Sequence, residues 1–118
     1  MRQIGAIRCF VLMSALWFCC SLYALERVVH YPSVDQYGDS LLLSGKVSIP
    51  ENDSIRGVIL LLHYTISSDA EAPSNTTISE AKVFQDDYVL IMPDYIGYGL
   101  TRDCIHPYLH GSLTAHNA

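Results

Sequence analysis

The residues best suited to chemistry gather in two short stretches, His63-Tyr64-Thr65 and Pro93-Asp94-Tyr95-Ile96-Gly97-Tyr98-Gly99. Each follows an apolar run, Gly57–His63 (GVILLLH) and Tyr88–Met92 (YVLIM). Ligands of open α/β sheets bind beyond the carboxyl ends of the strands, where both stretches fall if the runs are parallel strands. Each also has a structural reading, His63 as a half-buried histidine with satisfied nitrogens and Asp94 as a hydrogen-bond anchor for its own turn. His106 and His110 lie four apart, a helical spacing for a metal pair, but Pro107 biases His106 out of the helical region. No metal and no cofactor are expected.

Other nucleophile and phosphate motifs fail on spacing. Ser112 sits in His110-Gly111-Ser112-Leu113-Thr114, without the two glycines of a G-x-S-x-G elbow, and reads instead as the cap of a helix beginning at Leu113. Gly45-Lys46 is followed by Val47, with Ser40 where a P-loop needs glycine. Gly97-Tyr98-Gly99 meets Arg102 at the third position of a dinucleotide fingerprint.

The elements that must position the two stretches form an α/β pattern. Ser40–Ile49 alternates, with Leu41, Leu43, Val47 and Ile49 on one face, Lys46 and Ser48 on the other, and Gly45 permitting a bend or bulge. It closes an early strand pair or hairpin over residues 28–49. Parallel strands at 57–63 and 87–92 read as buried on both faces, because neither alternates. Between them Thr77 and Glu80 have capping-box spacing ahead of Ala81, Val83 and Phe84, which gives a helix near 78–86 and a βαβ unit.

At the N-terminus, Arg2 and Arg8 flank a basic region, followed by the apolar Cys9–Cys20 with Ser14 its one polar residue. Twelve residues are short of the roughly 20 that cross a bilayer but suit a signal-peptide core. Residues 1–24 therefore read as a signal peptide of an exported protein, secreted or periplasmic, cleaved near Ser21 or Ala24, with no membrane span left afterwards. Cys19 and Cys20 suggest acylation, but Phe18 replaces the small residue such a site wants, so lipoprotein anchoring is the weaker reading. Cleavage leaves Cys104 alone, so no internal disulfide supports the fold. A chain of 118 residues with net charge −5 and no basic run is unsuited to nucleic acid, and 16% charged residues do not make a disordered chain.

A more specific pattern joins these pieces: Leu62-His63-Tyr64-Thr65, Ala72-Pro73-Ser74, Pro93-Asp94-Tyr95-Ile96-Gly97-Tyr98-Gly99 and His106-Pro107-Tyr108-Leu109. Together, over Tyr31 to Ala118, they resemble the N-terminal part of secreted lipase- and esterase-like proteins of the α/β-hydrolase superfamily. The resemblance implies the early strands and first βαβ unit of a hydrolase sheet, cut before the nucleophile elbow. It implies a parent serine hydrolase acting on a small-molecule acyl ester, with backbone N–H groups of Tyr64 and Thr65 in the oxyanion hole. His63, Asp94, Tyr95, Gly97, Gly99, His106 and Pro107 then belong to the family's structural motifs. The triad serine, acid and histidine would all follow residue 118, so this segment alone would be inactive and poorly folded. Tyr64 stands where many relatives have glycine, at a loss of backbone freedom. A peptidase of the same superfamily, or a non-catalytic exported binding or surface protein on that scaffold, are the alternatives.

Overall fold

The computed structural model describes residues 24–118, so the signal-peptide reading lies outside the described residues. Four strands form one mixed sheet: β1 (Leu25–Val34), β2 (Ser40–Ile49), β3 (Gly57–Leu60) and β4 (Tyr88–Pro93), in the order β1-β2-β4-β3. β1 and β2 pair antiparallel as a hairpin, β2 and β4 antiparallel, and β3 and β4 parallel. The helices are small: α1 (Ala81–Phe84) in the β3–β4 crossover and α2 (Gly111–Asn117) after the second strand-end loop. The result is a small α/β-like domain with the hairpin and the parallel pair that the sequence pattern predicts.

β2 is buried on both faces at its centre: Leu43 on the expected odd face is 0% exposed, and the polar even face is covered as well. On that even face Ser44, Lys46 and Ser48 are 2%, 7% and 0% exposed, while Leu42 nearer the hairpin turn is exposed. The register explains why. Ser48 and Lys46 stand opposite Leu90 and Met92 of β4, on the face covered by Ile78 and Ala81. The long crossover folds over this face and brings polar partners with it. Lys46 Nζ donates to the Thr76 carbonyl at 2.7 Å and to Glu26 Oε2 at 3.2 Å. Ser48 Oγ has no partner among the described residues.

The odd face carries Leu43, packed with Ile96 and Leu113 and flanked by Tyr31 and Leu41. Beyond the reach of α2 that face is bare: Val58, Leu60 and Leu62 are 64%, 47% and 52% exposed, and Val29 and Ile91 are exposed beside them. The expectation of a β3 buried on both faces is therefore corrected. β3 is a short edge strand, and its unalternating sequence provides apolar side chains for a face that no described residue covers.

Three local expectations also change. β2 pairs without interruption through Gly45, which forms no bulge; a Cβ there would press on the Met92 carbonyl of β4 at 2.8 Å, so glycine lets the two backbones close up. The capping box does not form, since Glu80 is the N-cap without a side-chain bond and its carboxylate accepts from Ser79 Oγ instead. α1 is accordingly one turn rather than residues 78–86. At α2 the cap is His110 rather than Ser112: its side chain accepts from the Leu113 N–H, and the helix begins at Gly111.

α2 is tied back to β1, where the Tyr31 hydroxyl donates to the Asn117 carbonyl at 2.6 Å. Burial first, then Asp94 and Tyr95, push the Tyr31 phenol from 10.0 up to about 12. The neutral phenol is the form the fold holds. Its contribution is complete below pH 10, where the unfolded chain also keeps the proton, and disappears as pH rises towards 12. Absorbance titration at 295 nm of the full gene product is expected to show a phenol ionising near pH 12. Tyr31→Phe should remove that component and flatten the fall in denaturation midpoint over the same range; an unchanged titration would contradict the assignment.

Candidate functional site

Both candidate stretches emerge at the carboxyl ends of the parallel strands. Between them lies a cleft of about 330 Å³, lined by His63, Tyr64, Thr65, Tyr95, Tyr98 and His106 among others. β3 places His63 through Leu61, whose N–H continues the ladder to the Ile91 carbonyl. β4 ends at Pro93, and the chain turns at once through Tyr95, whose φ of 66° is left-handed and costly for a non-glycine residue. Tyr95 keeps this conformation because its ring is buried and packs on His63, with ring centroids 4.6 Å apart.

Asp94 is fully buried, and its carboxylate is engaged inside the fold. Oδ2 accepts from Ser44 Oγ at 2.5 Å and Oδ1 accepts from the Ser74 N–H at 2.8 Å. Ser44 Oγ also accepts from the Leu100 N–H, and the Asp94 N–H donates to the Ser44 carbonyl. Asp94 is thus an anchor, as its structural reading had it, but it fastens β2 and the crossover rather than its own turn. This is the physical link between Ala72-Pro73-Ser74 and the Pro93–Gly99 stretch: Ala72 and Pro73 are buried, and they present the Ser74 N–H to the carboxylate.

The glycines of that stretch are demanded by contact. Gly97 (φ 94°) lies against the His106 backbone, and Gly99 (φ 57°) lies on the Asp94–Ser44 pair. The Gly97 N–H donates to Thr101 Oγ1 and the Gly99 N–H to Asp69 Oδ1 at 2.6 Å. Asp69, Ser44 and Thr101 are site-building residues the sequence reading missed. Asp69 and Ser44, in a polar loop and an alternating strand, carry no local mark of partners 30 and 50 positions away, whereas Thr101 bonds Gly97 only four positions back.

His63 has both ring nitrogens against carbonyl oxygens, Nδ1 at 2.6 Å from Tyr64 O and Nε2 at 3.0 Å from Asp94 O. It is half-buried between the two loops; both neighbours are acceptors, and a neutral imidazole has one N–H, so it bonds one of the two carbonyls, the nearer being that of Tyr64. Tyr98 stands edge-on to it, with centroids 5.7 Å apart, and donates its hydroxyl to the Ile66 carbonyl at 3.1 Å. Burial, with Tyr108 and Glu71 adding, raises the Tyr98 phenol and keeps that donor protonated. His106 is bonded through Nδ1 to the Ile96 carbonyl and packs between Tyr98 and Tyr108, with Pro107 half-buried beside it. His110, engaged as a cap, does not join it, and no group of three or more potential metal ligands occurs among the described residues.

Tyr64 does not need glycine's backbone freedom, because its φ is not positive. The N–H groups of Tyr64 and Thr65 have no acceptor among the described residues, while both residues line the cleft. Two unpaired donors beside a cleft can receive an oxyanion; no arrangement of serine, base and acid accompanies them among the described residues. No helix among the described residues is long and apolar enough to cross a membrane. Comparison with protein-family models, with curated proteins and with solved structures gives no match.

Proposed function

We propose that this chain forms the N-terminal part of an exported serine hydrolase of the α/β-hydrolase type, acting on a small or medium acyl ester. The Tyr64 and Thr65 N–H groups would hold the oxyanion, and a serine, acid and histidine encoded beyond Ala118 would complete the acyl-enzyme chemistry. The observation that carries this reading is the pair of unpaired N–H groups at the carboxyl end of β3, beside a cleft. Such donors lower an acyl-transfer barrier by about 3–4 kcal/mol when aimed at the developing charge. The basic-then-apolar start of the sequence supports export.

A fluorophosphonate probe on the full gene product tests this. The expected result is one labelled serine, located after Ala118 inside a G-x-S-x-G sequence, with turnover of p-nitrophenyl acetate exceeding that of aminoacyl anilides. Preference for the anilides would make it a peptidase of the same architecture. A folded product with no labelled serine would make it a binding protein on that scaffold.

A further inference from the structure

We infer that His63 is a positioning residue that aims one of the two candidate oxyanion donors, the Thr65 N–H, by pinning the peptide plane that carries it. This inference rests on the hydrolase reading and goes further, since it separates the two donors. The Tyr64 carbonyl and the Thr65 N–H belong to one planar trans unit, so their directions are opposed and fixed relative to each other. His63 Nδ1 holds the carbonyl end at 2.6 Å, which turns the Thr65 N–H to the side away from the imidazole. That N–H has no acceptor among the described residues, so nothing else there sets its direction.

The ring is itself held firmly. With the proton on Nδ1 a neutral ring has no N–H left for the Asp94 carbonyl 3.0 Å from Nε2, so packing holds it: Tyr95 and Tyr98 lie on the imidazole at 4.6 Å and 5.7 Å between centroids. Tyr95 is fixed in turn by its own burial and by its neighbour Asp94, whose carboxylate is buried and bonded to Ser44 and Ser74. The far end of the loop is tied by the Tyr98 hydroxyl to the Ile66 carbonyl. A two-residue turn between these ties has little freedom to rotate its peptide units. The Tyr64 N–H, on the preceding peptide plane, receives no such tie.

Side-chain length separates this role from general support. Asparagine places an amide donor close to where His63 Nδ1 stands, and glutamine places one nearer Nε2. In the full gene product His63→Ala is expected to lower kcat for p-nitrophenyl acetate by about tenfold to a hundredfold with KM changed less than about threefold, short of the ~10²–10³ for outright loss of a donor. His63→Asn should recover most of kcat and His63→Gln should not. Hydrogen exchange of the segment 61–67, read whether or not the protein is active, should be near wild-type in Asn and faster in Gln and Ala. Equal kcat losses in Asn and Gln, an effect confined to KM, or identical exchange in all three variants would overturn the inference. Absence of a fluorophosphonate-labelled serine in the wild type would overturn the hydrolase reading and the oxyanion role with it, while the exchange pattern still decides whether His63 fixes the loop.

Discussion

Gly99→Ala is expected to destabilise the protein by more than about 4 kcal/mol, the range reserved for substitutions that wreck a buried network. Two costs combine. The backbone at position 99 is left-handed, with φ 57°, which costs an L-residue about 1–2 kcal/mol before any contact is counted. The added methyl would then land on Asp94 Oδ2 and Ser44 Oγ. Neither can retreat cheaply. Their mutual bond is 2.5 Å long and buried, the carboxylate also receives the Ser74 N–H, and the serine also receives the Leu100 N–H. Each group left unpaired there costs about 1–3 kcal/mol. Gly38→Ala is the control: φ is 86°, but nothing lies within 4 Å, so only the backbone cost of about 1–2 kcal/mol applies. Urea denaturation of the full gene product compares them. Equal effects of the two substitutions would show that the Asp94 hub does not hold the fold.

Residues 25–118 produced alone are expected to give no ester turnover, strong binding of a hydrophobic dye and no cooperative melt. The first expectation is one of inventory, since donors at Tyr64 and Thr65 without a nucleophile and base offer no acyl-enzyme route. The others follow from the odd face of the sheet. Val29, Val58, Leu60, Leu62 and Ile91 lie exposed on one side, and β3 presents an unpaired edge next to them. An apolar face joined to an open edge invites association. Cys104, the free cysteine among the described residues, offers no internal cross-link in compensation. p-Nitrophenyl acetate turnover against a buffer blank, dye fluorescence and thermal unfolding check the prediction. Turnover abolished by a serine-directed phosphonate, or a sharp melt from a soluble monomer, would refute it.

The elements that local pattern specifies were legible in the sequence, and those that distant partners specify were not. β2 and the two parallel strands could be read because turn residues punctuate apolar runs, while β1 has no such run and entered only as the partner of an early strand pair. The burial of the polar face of β2, in addition to the apolar one at Leu43, could not be read. Alternation shows that two faces differ, and it assigns the apolar one to the interior unless polar partners are known to arrive. Here Ser44 meets Asp94 fifty positions on, and Lys46 meets Thr76 thirty positions on. The helix near 78–86 shrank to α1 because Glu80 turned to its neighbour Ser79 instead of reaching back to close a capping box. At the cleft, the special residues of the Pro93–Gly99 stretch could be marked by type. What they are for depends on Gly97 and Gly99 touching His106 and the Asp94–Ser44 pair, which only three dimensions reveal.

The distances along the chain over which these contacts are made also set an order of assembly. β1 and β2 are joined by a short turn closed by Asp35, so the hairpin can form as soon as both strands exist. Ser44 must then wait fifty residues for Asp94, and Tyr31 and Ser33 must wait more than eighty for Asn117. Contacts closing such long loops come late, because the entropy of closure is lost before they reward it. Until then the hairpin presents Ser44, Lys46 and Ser48 to water on one face. Hydroxyls and an ammonium, unlike the apolar side chains of an ordinary interior, can stand in water at no hydrophobic cost before their distant partners arrive.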